Sequence, residues 1–185
     1  MNIVILDGYT LNPGDLDWGP LKELGEVTIY DRTPNDLILE RAKEADIILT
    51  NKTPLGKDVI PQLPRLKCIV VMATGYDVVA VDEARKCNIP VCNASGYATD
   101  AVAQHTMGLM LELMNRISLH DQKVKDGYWN VDFSFFAKPL RELKGKTLGL
   151  IGYGRIGQRV AELARAFGMN LLINRKHPDA GDEGC

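Results

Sequence analysis

The segment 147–160, TLGLIGYGRIGQRV, constrains the fold of this chain more than any other. A short apolar run leads into Gly152-Tyr153-Gly154-Arg155-Ile156-Gly157, which fits the pattern G-x-G-x-x-G, and a helical pattern follows. In such a turn the first glycine permits a tight bend, the second lets a pyrophosphate approach the backbone, and the third lets helix and strand pack closely. The free N–H groups and positive dipole end of the helix attract phosphate. The context predicts a dinucleotide site, and a glycine-rich turn without a ligand is the alternative.

The residues at the end of the next predicted strand, over 170–174, bear on which dinucleotide binds. An acidic residue about 20 positions beyond the motif typically holds the ribose 2′-OH of NAD. Here the strand ends in Asn174-Arg175-Lys176, with no acid at its tip. Arg175 and Lys176 suit a 2′-phosphate, so the sequence slightly favours NADP over NAD. Two solvated cations are the alternative interpretation, and the nearby Asp179 keeps NAD open.

Charge and cysteine content exclude several classes of protein. Twenty-two basic and 24 acidic residues give a net charge of −2, so we expect no nucleic-acid partner. No apolar run is long enough for a membrane span, and the N-terminus lacks the pattern of a signal peptide. The four cysteines form no C-x-x-C pair and have no histidine at metal-ligand spacing. We therefore expect a reduced, cytoplasmic protein without a metal site.

Near-continuous apolar runs alternate with helical patterns along the chain. The strongest runs cover 2–6, 46–50, 68–72, 147–151 and 170–174, with weaker ones at 27–30 and 89–93. Such runs are typical of strands covered on both faces, and the alternation predicts an α/β fold with a parallel, doubly wound sheet. Predicted helices begin at a Thr33 cap with Pro34 in the first helical position and, for the longest, at Thr99 or Asp100. We place a domain boundary near residue 100, giving domains 1–100 and 101–185. The aromatic segment 126–146 is either a docking arm or a packed loop.

Three segments together resemble the D-isomer-specific 2-hydroxyacid dehydrogenases. They are MNIVILDGYTLNPGDLDWGPLKELG, ATGYDVVAVDEARKCNIPVCNASGYATDAVAQHTMGLMLEL and ELKGKTLGLIGYGRIGQRVAELARAFGM, and the resemblance extends over residues 1–176. It implies a flavodoxin-like substrate domain followed by the first part of a Rossmann dinucleotide-binding domain. It also implies a homodimer, and hydride exchange between a nicotinamide and C2 of a small 2-oxo or 2-hydroxy acid. Hydroxypyruvate and D-glycerate are the favoured pair.

The resemblance also assigns individual positions. Asn51 and Lys52 fall where the family lines its substrate cleft, and Thr74 and Gly75 fall in the loop whose N–H groups bind the substrate carboxylate. Thr106 falls where the family faces the nicotinamide, although a helix threonine bonded to its own backbone is an equal alternative.

The family's catalytic arginine, its acidic partner and its general-acid histidine lie beyond the glycine turn, so we assign no catalytic residue within this chain. His105, His120 and His177 do not match the catalytic position. Loss of a general acid costs about 10²–10⁴-fold in rate, so we expect negligible turnover by these 185 residues alone. A non-catalytic nucleotide-binding or oligomerisation module on the same scaffold is the alternative function.

Overall fold

A computed structural model describes residues 1–128 and 139–176 of the chain. It divides the chain into two compact units, Met1–Ser95 and Gly96–Cys185, so residues 96–100 belong to the second unit. Of the aromatic segment 126–146, residues 129–138 lie outside the described residues, as do His177 and Asp179. No helix within the described ranges combines the length and hydropathy needed to cross a bilayer.

The first unit is built on a five-stranded, all-parallel sheet in the order β2-β1-β3-β4-β5. Its strands are β1 (Asn2–Ile5), β2 (Glu26–Ile29), β3 (Ile47–Thr50), β4 (Cys68–Val71) and β5 (Val91–Asn93). The helices are short: α1 (Gly19–Lys22), α2 (Ile38–Ala42) and α3 (Val81–Lys86). Buried side chains lie on both faces, with Leu6, Ile48 and Ile69 in one cluster and Ile3 and Ile5 in another. The predicted parallel α/β sheet is therefore confirmed, and its apolar runs reflect burial on two sides.

The second unit contains a two-stranded parallel sheet of β6 (Thr147–Ile151) and β7 (Asn170–Asn174). Its helices are α4 (Thr99–Asn115), α5 (Ile117–Lys125) and α6 (Arg155–Ala166). Met107, Leu143, Ala164 and Met169 form the buried core on one face of the sheet. On the other face Ile151 is 95% exposed.

The predicted helix starts are wrong in detail. A 3₁₀ turn (Asn35–Leu37) precedes α2, so Thr33 is not the cap; it is buried, and its hydroxyl accepts a hydrogen bond from Arg41 at 3.0 Å. The cap position of α4 is Ala98, and neither Thr99 nor Asp100 serves as the cap.

The longest helical pattern is interrupted rather than continuous. It divides at Arg116, whose φ of 51° is left-handed. The Glu112 carboxylate accepts the N–H of Ser118 at 3.2 Å, which satisfies a free donor at the start of α5 and so supports the break.

Candidate cofactor and substrate sites

The glycine turn between β6 and α6 uses each of its three glycines differently. Gly152 has a φ of +93°, which side-chain-bearing residues rarely adopt, and its N–H bonds the carbonyl of Asn174 at 2.8 Å. A Cβ on Gly157 would lie 2.6 Å from the carbonyl oxygen of Gly152, so only glycine fits. A Cβ on Gly154 would meet nothing within 4 Å, which leaves open space beside the backbone at the start of α6.

Helix α6 presents its N-terminus at this turn. Its 12 residues begin directly after Gly154, and the first-turn N–H groups of a helix have no intrahelical acceptors. The exposed Arg155 adds a positive charge, and a Cβ on Gly96 would lie 3.0 Å from its Nη1. Open space, free donors and positive charge together fit a pyrophosphate.

Apolar packing and one arginine hold α6 in place. Val160, Ala161 and Ala164 are its buried residues. Arg159 donates to Glu162 at 2.6 Å and to Asp100 of α4 at 2.7 Å. These bonds, to Glu162 first and Asp100 second, raise the pKa of Arg159 above its usual value. The pairs are exposed, so they fix orientation more than they add stability.

The end of β7 brings further cations to the glycine turn. The Arg175 guanidinium lies over the Tyr153 ring, 5.6 Å from its centroid, and Lys176 is exposed. Asn174 lies beside the turn through its bond to Gly152. The structure thus brings Asn174 and Arg175 to the glycine turn, and Lys176 follows them directly in the chain.

In the first unit, a buried carboxylate organises the edge where the strands end. Asp7 follows β1 and is 2% exposed. Its carboxylate accepts the backbone N–H groups of Asn51 at 2.8 Å, of Lys52, and of Thr53 at 2.7 Å. The hydroxyl of Thr50 lies 3.4 Å away. Sequence reasoning missed Asp7, although an acid directly after the buried run of NIVIL was the available signal.

This bonding positions the predicted substrate residues Asn51 and Lys52. The Asn51 side-chain amide donates to the Thr10 hydroxyl at 3.0 Å, and the hydroxyl in turn donates to the Asp7 carbonyl at 2.7 Å. The Lys52 side chain is exposed. The backbone of this loop is therefore fixed while its lysine stays accessible.

The loop after β4, which carries Thr74 and Gly75, is fixed by its neighbour β5. The Thr74 hydroxyl donates to the carbonyl of Ala94 at 3.1 Å, and the Asn93 amide donates to the Thr74 carbonyl at 2.8 Å. Both Thr74 and Gly75 are exposed. Within the described ranges their N–H groups donate no hydrogen bond, so they can bind an anion.

Comparison with known proteins identifies the family. The family model described as "D-isomer specific 2-hydroxyacid dehydrogenase, catalytic domain" matches residues 3–172. The chain belongs to this family. It is an oxidoreductase family, and the predicted combination of a substrate domain with a partial Rossmann domain agrees with its structural neighbours.

Three similar proteins show which substrates and cofactors their names attach to members of the family. Hydroxypyruvate reductase from Blautia hydrogenotrophica is 45% identical over 192 residues, covering 100% of this chain and 60% of the relative. The structure of an NADPH-dependent glyoxylate/hydroxypyruvate reductase from Sinorhizobium meliloti has a TM-score of 0.80 at 26% identity, covering 97% of this chain and 56% of that one. D-lactate dehydrogenase from Aquifex aeolicus, complexed with NAD and lactic acid, has a TM-score of 0.78 at 28% identity, covering 97% and 53%. The chain thus spans between half and two thirds of the length of these proteins.

The remaining residues singled out by the sequence analysis lie on α4 and α5. The Thr106 hydroxyl donates to the carbonyl of Val102 at 2.8 Å, the local bond that sequence analysis gave as the alternative. His105 is exposed, and Nδ1 of His120 lies 2.9 Å from the carbonyl of Arg116. Among the described residues no group of three or more His, Cys, Asp or Glu side chains could hold a metal ion.

Proposed function

We propose that this protein is an NAD(P)-dependent oxidoreductase that transfers a hydride between a nicotinamide and a small 2-oxo or 2-hydroxy acid. Hydroxypyruvate and D-glycerate are the proposed pair, supported by the 45% identity to a hydroxypyruvate reductase. The observation that carries the proposal is the glycine turn, because Gly152 and Gly157 allow only glycine and Gly154 leaves room for a pyrophosphate. The nicotinamide would supply the hydride, while the residues of this chain would bind the cofactor and the acid and orient them.

Residues 101–185 are proposed to hold the cofactor, and NADP is proposed over NAD. Gly152, Tyr153, Gly154, Arg155, Ile156 and Gly157 would contact the pyrophosphate, and Asn174, Arg175 and Lys176 the adenosine ribose. The structural neighbours include both NADPH and NAD enzymes, so the choice rests on the cations at the end of β7. A guanidinium binds a 2′-phosphate through charge-assisted hydrogen bonds that NADH cannot form.

This preference is testable with Arg175→Gln. We expect NADPH affinity to fall by roughly 10- to 100-fold, the equivalent of one charge-assisted hydrogen bond, while NADH affinity changes little. Fluorescence titration of both nucleotides measures this, with Arg85→Gln as the control because Arg85 is exposed on α3. Equal losses for NADPH and NADH would contradict the assignment.

The substrate residues are proposed to lie at the edge of the first unit where its strands end. The free N–H groups of Thr74 and Gly75 would bind the carboxylate, and Asn51 and Lys52 would contact the rest of the acid. Thr106 is proposed to face the nicotinamide, with its hydroxyl oriented by the bond to Val102. The domains 1–100 and 101–185 would thus have separate tasks, binding the acid and binding the cofactor.

Catalysis needs a proton donor that the described residues do not provide. An effective general acid is oriented by a partner. His105 forms no hydrogen bond to a carboxylate in the described part of the chain, and neither His105 nor His120 matches the position of the family's catalytic histidine. We therefore propose that the 185 residues bind NADPH but oxidise it negligibly with hydroxypyruvate. A chimera completed with the remaining residues of the Blautia hydrogenotrophica relative should be active. Hydroxypyruvate-dependent turnover by the 185-residue chain would overturn this view. A chimera that binds NADPH but stays inactive would argue against the substrate.

A homodimer is proposed through α4, in a cytoplasmic protein. Val102, Leu109 and Leu113 occupy one side of this helix and are exposed, Leu113 by 76%. Light scattering after size-exclusion chromatography should give a dimer, and Leu113→Lys should give monomers. A wild-type monomer at micromolar concentration would refute the proposal.

A further inference from the structure

A cavity of about 390 Å³ opens at the carboxyl ends of β1, β2 and β3. The chain after β1 supplies Asp7, the chain after β2 supplies Arg32, Thr33 and Asn35, and the loop after β3 supplies Lys52. It lies where the strand order turns from β1 toward β2 on one side and toward β3 on the other. Such switch points are where open α/β sheets bind ligands.

The charges around the cavity leave a positive excess. Arg32 and Lys52 contribute two cations, and neither forms an ion pair within the described ranges. Arg32 stacks loosely on Tyr9, with its guanidinium carbon 6.0 Å from the ring centroid. The one lining carboxylate, Asp7, is already occupied by the N–H groups of the loop after β3. Two cations against one saturated carboxylate leave one net positive charge.

Neutral donors complete the lining. Thr33 is buried, and its hydroxyl oxygen accepts from Arg41, so its own hydrogen remains available to donate. The Asn35 side chain is exposed and forms no hydrogen bond in the described part of the chain. Arginine, lysine, hydroxyl and amide donors are the groups that bind oxyanions.

We propose that this cavity binds a small anion through a carboxylate or phosphate group held jointly by Arg32 and Lys52. The anion has two sources: a separate phosphate-bearing molecule, or the carboxylate of a 2-oxo acid, which would then bind here instead of at the N–H groups of Thr74 and Gly75. The site shares Lys52 with the proposed substrate residues but requires no nicotinamide. It therefore does not depend on the cofactor assignment.

The test is a titration of the 185-residue chain with inorganic phosphate, followed through the backbone amide resonances. Saturable shifts should appear at residues 32–35 and 51–53. Arg32→Gln and Lys52→Gln should each weaken binding by roughly 10- to 100-fold, the equivalent of one charge-assisted hydrogen bond. Arg32→Lys should retain part of the affinity because it keeps the charge. Lys57→Gln is the matched control, since Lys57 is exposed in the same loop but does not line the cavity.

A second titration with hydroxypyruvate separates the two sources. Shifts of the same amides that compete with phosphate would assign the cavity to the acid, and shifts with phosphate alone would assign it to a separate ligand. Absence of saturable shifts with either anion, or equal affinity in Arg32→Gln and wild type, would overturn the proposal. NADPH binding at residues 152–157 is measured on the same samples, so loss of the proposed function remains distinguishable from loss of this site.

Discussion

Replacing Asp7 tests whether one buried carboxylate holds the loop after β3. Asp7→Ala removes the acceptor of three backbone N–H groups, at Asn51, Lys52 and Thr53. A buried donor left without a partner costs about 1–3 kcal/mol. The N–H of Thr53 is buried, but those of Asn51 and Lys52 are partly accessible to water, which recovers part of their loss.

The total cost of Asp7→Ala should therefore be about 3–5 kcal/mol, a large part of the 5–15 kcal/mol that stabilises a typical domain. Asp7→Asn should cost less, because its remaining carbonyl still accepts some of these bonds while its amide group faces a donor. Asp15→Ala is the matched control, since Asp15 is exposed and its side chain has no partner in the described ranges.

Urea unfolding followed by circular dichroism gives the global cost, and hydrogen exchange at residues 51–53 reports the loop. We expect exchange there to accelerate in Asp7→Ala and to stay unchanged in Asp15→Ala. If Asp7→Ala were within about 0.5 kcal/mol of the control, the size of an ordinary surface effect, the argument that this carboxylate anchors the loop would be wrong.

Three further substitutions test packing and charge. Gly157→Ala would place a Cβ 2.6 Å from a backbone carbonyl of the glycine turn, so we expect a loss of about 1–3 kcal/mol and weaker NADPH binding in thermal-shift assays. Gly108→Ala, in open space on α4, should instead add about 0.5–1 kcal/mol, and equal effects would contradict this reading. The backbone N–H of Asn2 and the neighbouring Lys67 lower the pKa of Asp46. The stabilisation that the charged Asp46 carboxylate gives the folded state is therefore complete above the ordinary aspartate pKa, and it is lost as pH falls through the lowered pKa. The Tm difference between wild type and Asp46→Asn should thus be constant near neutral pH and shrink in acid. A Tm difference that does not depend on pH would show that the charged carboxylate of Asp46 does not stabilise the fold.

Local patterns predicted the strands and the roles of the glycines, because the relevant physics lies within a few residues. The apolar run NIVIL predicts a buried strand without any knowledge of which strands pair with it. Gly152 and Gly157 belong to one turn, so the need for a bend and for close packing can be deduced from their spacing. The hydrogen bonds accepted by the Asp7 carboxylate have no such local signature, because they join Asp7 to residues 44 to 46 positions further along the chain. They exist only because β1 and β3 pair side by side.

The errors have equally specific causes. Threonine favours the cap position of helices, but Thr33 is buried, its hydroxyl accepts a bond from Arg41, and a 3₁₀ turn separates it from α2. The break at Arg116 lies at a point in the pattern with no neighbouring glycine or proline. It is accompanied by a bond from the Ser118 N–H to the carboxylate of Glu112, four residues before Arg116. Propensity alone does not predict either contact.

The two sheets differ in burial. The less buried sheet, β6 and β7, adjoins the glycine turn, so cofactor binding should raise the local stability of that sheet. Ile5 and Ile69 in the first sheet are fully buried, whereas Ile151 and Leu172 in the second are 95% and 62% exposed. Because local stability follows burial, amides of β6 and β7 should exchange with solvent before those of β1 and β3. A ligand at 100 times its Kd adds about 2.7 kcal/mol to the state that binds it, so NADPH at the glycine turn should slow exchange in β6 and β7 selectively. Exchange of both sheets at one rate, or NADPH protection confined to the first sheet, would show that the nucleotide does not bind where the glycines predict.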